Sequence, residues 1–123
     1  MRRKILILDD ETEIRAELAE YLAHKGYEVE QADNGLEGLR KFEAAPADLI
    51  ITDIIMPRLD GYGVIQRVRD IDPDLPIIAV TGHFSPSDLG RAKDAGATVV
   101  MKKPLVLRQL TGELKRLLEP EGK

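Results

Sequence analysis

Asp9-Asp10, Asp53, Thr81 and Lys103 stand at the ends of four separate apolar runs in the sequence. Three clustered carboxylates repel one another unless a proton or a cation sits among them. The chain has no Cys and 2 His, so oxygen ligands would have to hold such a cation, and they select a hard one. Magnesium takes one or two carboxylates and fills its shell with waters and phosphate oxygens. A carboxylate is also a nucleophile able to form an acyl phosphate. On this reading one carboxylate attacks and the others hold metal, while Lys103 takes one phosphoryl oxygen and Thr81 hydrogen-bonds another. Nothing here would act as a base toward an external substrate. Each piece alone is ordinary loop or cap chemistry; it is the set, spread over different strand ends, that describes a site.

Such residues need a scaffold that brings strand ends together. Apolar runs at Lys4–Leu8, Tyr27–Ala32, Leu49–Thr52, Ile77–Val80 and Thr98–Met101 alternate with stretches of helical period. Four of the runs lack strict alternation and are rich in Ile, Val and Leu, as in strands covered on both faces. The second alternates and reads as an edge strand. Between them, Ile14, Leu18, Tyr21 and Leu22 share a helical face that Gly26 terminates. Leu36, Leu39 and Phe42 mark a second helix capped by Asn34, and Val64, Ile65 and Val68 a third entered through Asp60-Gly61. Ser85-Pro86-Ser87-Asp88 announces a fourth, and Leu107, Leu110, Leu114, Leu117 and Leu118 form a fifth that stops before Pro120. The pattern predicts an α/β fold, a parallel sheet with right-handed crossovers and helices on both faces. Ligands in such folds sit beyond the carboxyl ends of the strands. The fourth helix, with Gly90 inside it and few large apolar residues, is expected to move most readily.

Asp9-Asp10, the segment Asp53-Ile54-Ile55-Met56-Pro57-Arg58-Leu59-Asp60-Gly61, Thr81-Gly82 and Lys103-Pro104, taken in order, resemble the signature of response-regulator receiver domains, the CheY-like superfamily of two-component signalling. Ala32 to Leu39 and Asp48 to Ile51 are similar to the family as well, and the likeness runs from Lys4 to Leu118. It implies a flavodoxin-like doubly wound (βα)5 fold, with a five-stranded parallel sheet in the order 2-1-3-4-5. It further implies that Asp53 accepts the phosphoryl group, that Asp10 ligates Mg2+ directly and Asp9 through water, and that the Ile55 carbonyl completes the protein ligands. Thr81 and Lys103 would bind the phosphoryl oxygens, with a cis peptide before Pro104. Lys102 is expected to face away, and Glu11 to matter little for phosphorylation. The implied partners are a sensor histidine kinase or phosphotransfer protein and a downstream effector or output domain, with the signal leaving through helix 4, strand 5 and helix 5.

The sequence departs from that pattern at Val100, where the family often carries a Tyr or Phe that swings inward on phosphorylation. Ile55 and His83 occupy the two positions that flank the phosphoryl group and influence its lifetime. His24, near the end of the first helix, reads as a C-terminal capping cation. Three other readings are open. An aspartyl phosphatase of the haloacid dehalogenase type would need a second Asp where Ile55 stands, and a flavin carrier would need a phosphate loop where Asp9-Asp10-Glu11 stands. A phosphorylation-independent pseudo-receiver, an interaction module, is the third.

The bulk properties fit the same picture. The chain of 123 residues is 43% hydrophobic, enough for one domain with a core of its own. We assign residues 1–119 to the receiver domain and 120–123 to a C-terminal tail. A net charge of -4 and 4% aromatic residues argue against direct nucleic-acid binding. The basic start, Met1 to Lys4, meets only four apolar residues before Asp9, and Leu49 to Met56 is interrupted by Thr52 and Asp53. Neither exports nor spans a membrane, so a cytoplasmic location is expected.

Overall fold

Strand–helix alternation resolves, in a computed structural model describing residues 2–119, into five βα units. They are β1 (Lys4–Leu8), α1 (Thr12–His24), β2 (Glu28–Ala32), α2 (Gly35–Ala44), β3 (Leu49–Asp53), α3 (Gly61–Ile71), β4 (Ile77–Thr81), α4 (Pro86–Ala95), β5 (Val99–Lys102) and α5 (Leu107–Leu118). The strands are all parallel, in the order β2-β1-β3-β4-β5, which is the flavodoxin-like arrangement. β3 and β4 are buried at every position, whereas the edge strands β2 and β5 are not. The tail assigned to Pro120–Lys123 lies outside the described residues.

Because successive strand side chains point to opposite faces, the sheet divides the core into two layers. Leu6, Leu8, Ile50, Ile77 and Ala79 pack with Leu39 and Phe42 of α2, Val64, Ile65 and Val68 of α3, and Ala92 and Ala95 of α4. Ile5, Ile7, Leu49, Ile51, Ile78 and Val80 pack with Leu18 and Leu22 of α1 and with Leu110, Leu114 and Leu118 of α5. Each fully buried Ile, Leu or Val contributes roughly 1.5–3 kcal/mol, so these two layers carry most of the driving force.

Local signals place the helix ends. Asn34 Oδ1 accepts from Glu37 N at 2.8 Å, Asp60 Oδ1 from Gly63 N at 2.9 Å, and Ser85 Oγ from Asp88 N at 3.2 Å. Gly26, at φ 101°, turns the chain out of α1.

Three residues assigned to apolar helix faces are not core. Ile14 is 52%, Leu36 40% and Leu107 38% exposed. Each stands in the first turn of its helix, and Ile14 and Leu107 face the open cleft beside Asp53. The fourth helix is as thinly packed as expected, burying only Ala92 and Ala95. Its polar residues make up part of the difference: the Arg91 guanidinium stacks 4.0 Å from the Tyr62 ring of α3.

Candidate functional site

Strand order reverses around β1 and β3, whose chain continuations lie side by side at the centre of the sheet. That is where a doubly wound fold opens its crevice. Asp9 and Asp10 follow β1, and Asp53 is the last residue of β3. One carboxylate oxygen from each of the three lies within 4.8 Å of the others. Asp9 and Asp53 are 9% and 6% exposed, while Asp10 faces solvent.

Lys103 reaches this cluster from just beyond β5. Its Nζ donates to Asp53 Oδ2 at 2.7 Å and to Glu11 Oε1 at 3.2 Å, and lies 4.0 Å from Asp9 Oδ2. Its backbone N–H is fixed to the Thr81 carbonyl at 2.9 Å, and the Lys103-Pro104 peptide is cis. Lys102 is exposed and pairs in register with Thr81, so adjacent lysines have different surroundings.

Burial pushes the Asp53 carboxyl above the ordinary aspartate value; the hydrogen bond and charge of Lys103 oppose that shift without cancelling it, and the Asp9 charge adds to it. Asp9 is raised for the same reason, against the Glu11 N–H that its Oδ1 accepts at 2.9 Å. For Lys103, burial disfavours the ammonium, but the hydrogen bond and charge of Asp53, with the Asp9 charge and the Glu11 hydrogen bond, together outweigh burial and hold the pKa above the usual lysine value. The site is therefore an excess of buried negative charge countered by one cation.

The β3–α3 loop is folded tightly against Asp53. Ile54 N donates to Asp53 Oδ1 at 2.9 Å, and Gly61 N donates to the Ile54 carbonyl at 2.7 Å. A Cβ at Gly61 would stand 2.4 Å from the Asp53 carbonyl, so no larger residue fits. Leu59 N donates to the Pro57 carbonyl at 2.8 Å around Arg58, whose φ is 75°. This left-handed turn is costly for a side-chain-bearing residue. The Ile55 side chain points out, 62% exposed.

The structure thus brings Asp9, Asp10, Asp53 and Lys103 together. Thr81 ends the neighbouring strand, but its hydroxyl accepts from His83 N at 2.9 Å. By strand alternation it belongs to the α2–α3–α4 layer, and it lines a cleft with Ile54, Tyr62, His83 and Arg91. Asp53 and Lys103 instead line a cleft of about 550 Å³ on the α1–α5 side, with Ile7, Glu11, Ile14 and Leu107. Glu11 is the participant that sequence reasoning missed; its partner lies 92 positions away and no local signal marks it. Three oxygen donors this close, two of them buried, are a donor set that suits a hard divalent ion.

Known proteins look like this throughout the chain. The family profile described as "Response regulator receiver domain" matches residues 5–115. Response regulator MprA of Mycobacterium ulcerans is 36% identical over 118 residues, 96% of this chain and 51% of that protein. The chain spans about half the length of the curated relatives it matches. A receiver domain protein (CheY-like) from Methanospirillum hungatei superposes with TM-score 0.92 at 32% identity, covering 99% of this chain and 98% of that one. Chemotaxis protein CheY4 of Vibrio cholerae gives 0.90 at 34%, covering 95% and 99%.

Proposed function

This chain belongs to the response regulator receiver domain family of two-component signalling, and we propose on that footing that it is a switch set by a phosphoryl group on Asp53. The observation carrying this reading is the buried Asp53 carboxylate, 2.7 Å from Lys103 and clustered with Asp9 and Asp10. A carboxylate oxygen of Asp53 forms the new P–O bond, and the donor leaves with the electron pair of the bond it loses. Lys103 then turns its ammonium from the carboxylate to a phosphoryl oxygen.

Asp10 and Asp53 would hold Mg2+, with Asp9 acting through water and the Ile55 carbonyl completing the protein ligands. When bound, the ion neutralises the carboxylates and the incoming phosphoryl charge. The chain is not an enzyme in the ordinary sense, since the only reactions proposed are its own phosphorylation and dephosphorylation. The phosphoryl donor is a sensor histidine kinase or a phosphotransfer protein, and the receiving partner a downstream effector or output domain.

The output leaves through α4, β5 and α5. To reach a phosphoryl oxygen, Thr81 must release His83 N, which loosens the loop leading to the Ser85 cap of α4. With Val100 at the family's aromatic position, Thr81 and α4 carry the signal without a swinging ring. Acetyl phosphate or phosphoramidate with magnesium should add one phosphoryl group to the chain. Asp53→Ala should accept none at that position; unchanged labelling of this variant would remove the assignment.

A further inference from the structure

Glu11 occupies the N-cap of α1, yet its side chain makes no capping hydrogen bond. Cap positions favour Ser, Thr, Asp and Asn because their short side chains reach the first-turn N–H groups. Here the backbone of Glu11 serves Asp9, through the N–H donated to Oδ1, while its carboxylate turns across the cleft to Lys103 Nζ at 3.2 Å. The Glu11 side chain is 54% exposed and that of Asp53 7%, so the glutamate stands at the mouth of the cleft and the acceptor at its floor.

We propose that Glu11 is a positioning residue that competes with the incoming phosphoryl group for the Lys103 ammonium, and so sets how strongly the site discriminates among phosphoryl donors by charge. The proposal rests on Asp53 being the acceptor. An ammonium has three hydrogens to donate and accepts nothing. In the resting chain they are shared among Asp53, Glu11 and the more distant Asp9. A donor that approaches Asp53 brings new oxygen acceptors for the same hydrogens and must draw Lys103 from Glu11. It also passes the Glu11 charge at a few ångströms. In a water-facing cleft that repulsion is worth about threefold in rate per unit of donor charge.

Two small donors separate the effect. Acetyl phosphate is a dianion at neutral pH and phosphoramidate a monoanion. In both reactions an Asp53 oxygen forms the P–O bond. Acetyl phosphate loses acetate, which keeps the electron pair of the broken P–O bond. Phosphoramidate loses ammonia, whose nitrogen keeps the pair of the P–N bond and the protons it already carries.

The experiment measures second-order labelling rates of the full chain with both donors at saturating magnesium. Glu11→Gln keeps the shape and removes the charge. It should speed acetyl phosphate about tenfold and phosphoramidate about threefold, shifting the donor ratio about threefold. Glu11→Asp, which keeps the charge, should restore the ratio toward that of the native chain. Glu13→Gln, an equal charge loss at an exposed position without contact to Lys103, should leave the ratio unchanged. As a readout independent of labelling, the 15N signal of the Lys103 ammonium in metal-free protein should shift in Glu11→Gln and not in Glu13→Gln.

Equal slowing of both donors by Glu11→Gln would make Glu11 a structural part of the site and overturn the proposal. An equal ratio shift in Glu13→Gln would reduce the effect to bulk charge and overturn it as well. Native chain labelled, Asp53→Ala unlabelled and the ratio unmoved would sink the role of Glu11 alone. Label persisting in Asp53→Ala would sink the acceptor reading, and this proposal with it.

Discussion

Arg69 Nε donates to the Gly96 carbonyl at 2.9 Å, fastening the end of α3 to the turn that closes α4. The same guanidinium reaches the Asp72 carbonyl at 3.1 Å and Thr98 Oγ1 at 3.2 Å. Burial lowers its pKa, against the nearby Asp72 and Asp74 charges that raise it. A thinly packed helix is therefore held at its far end by one planar fork. Arg69→Ala should cost about 1–2 kcal/mol and speed amide exchange in Ser85–Gly96. Arg69→Lys should rescue little, because an ammonium cannot reproduce the fork. Unchanged exchange in α4 would show that the fork holds nothing.

Gly90 lies inside α4, and a Cβ there meets nothing within 4 Å. Gly90→Ala should therefore stabilise the chain by about 0.5–1 kcal/mol. Beryllofluoride, standing in for the phosphoryl group, should change amide exchange most in Ser85–Gly96 of the native chain, and less in the alanine variant. Changes centred on α1 would contradict the proposed output face.

Lys103→Ala should impair phosphorylation-dependent partner binding far more than Lys102→Ala, since only Lys103 touches Asp53. Binding of the partner to beryllofluoride-treated variants measures this directly. Equal losses would dissolve the distinction between the two lysines.

Asp9 and Asp53 have folded-state pKa values raised by burial. The folded chain holds their protons more tightly than the unfolded chain does. Their contribution is thus favourable below the unfolded value, near 3.8, and lost as pH rises through the raised folded values. At neutral pH the ionised pair opposes folding. Asp53→Asn should raise Tm at pH 7, with the gain vanishing by about pH 3, where the carboxyl is protonated in both states. Magnesium should raise the Tm of the native chain at pH 7 and lose this effect in acid, on chelation, and largely in Asp10→Asn. A Tm indifferent to magnesium would remove the metal from the scheme.

Strand ends are legible in this sequence because Leu49–Thr52 and Ile77–Val80 are apolar runs too short for helices, each stopped by a polar residue with chemistry of its own. Caps such as Asn34, Asp60 and Ser85 are legible because they act within three residues. Helical periodicity misplaces Ile14, Leu36 and Leu107 because it reports which side of a helix they occupy, not whether anything packs over that turn. The Glu11–Lys103 pair and the Arg69 fork join residues 92 and 27 positions apart, and only the assembled fold brings them within reach. The Thr81 hydroxyl, turned to His83, was likewise beyond sequence reasoning, because the hydrogen bond depends on how the loop after β4 folds back.

The alternation of strand side chains imposes a rule of odds and evens on any rebuilding of this domain. Asp53 falls in step with Leu49 and Ile51 on one side of the sheet, and Thr81 with Ile77 and Ala79 on the other. A single residue inserted into β3 would throw Asp53 to the opposite side, away from Lys103, even if every apolar position found a new neighbour. Two inserted residues would keep its side and merely lengthen the strand. The strands here therefore tolerate change only in pairs, and a grafted copy of the site must inherit its parity before its residues.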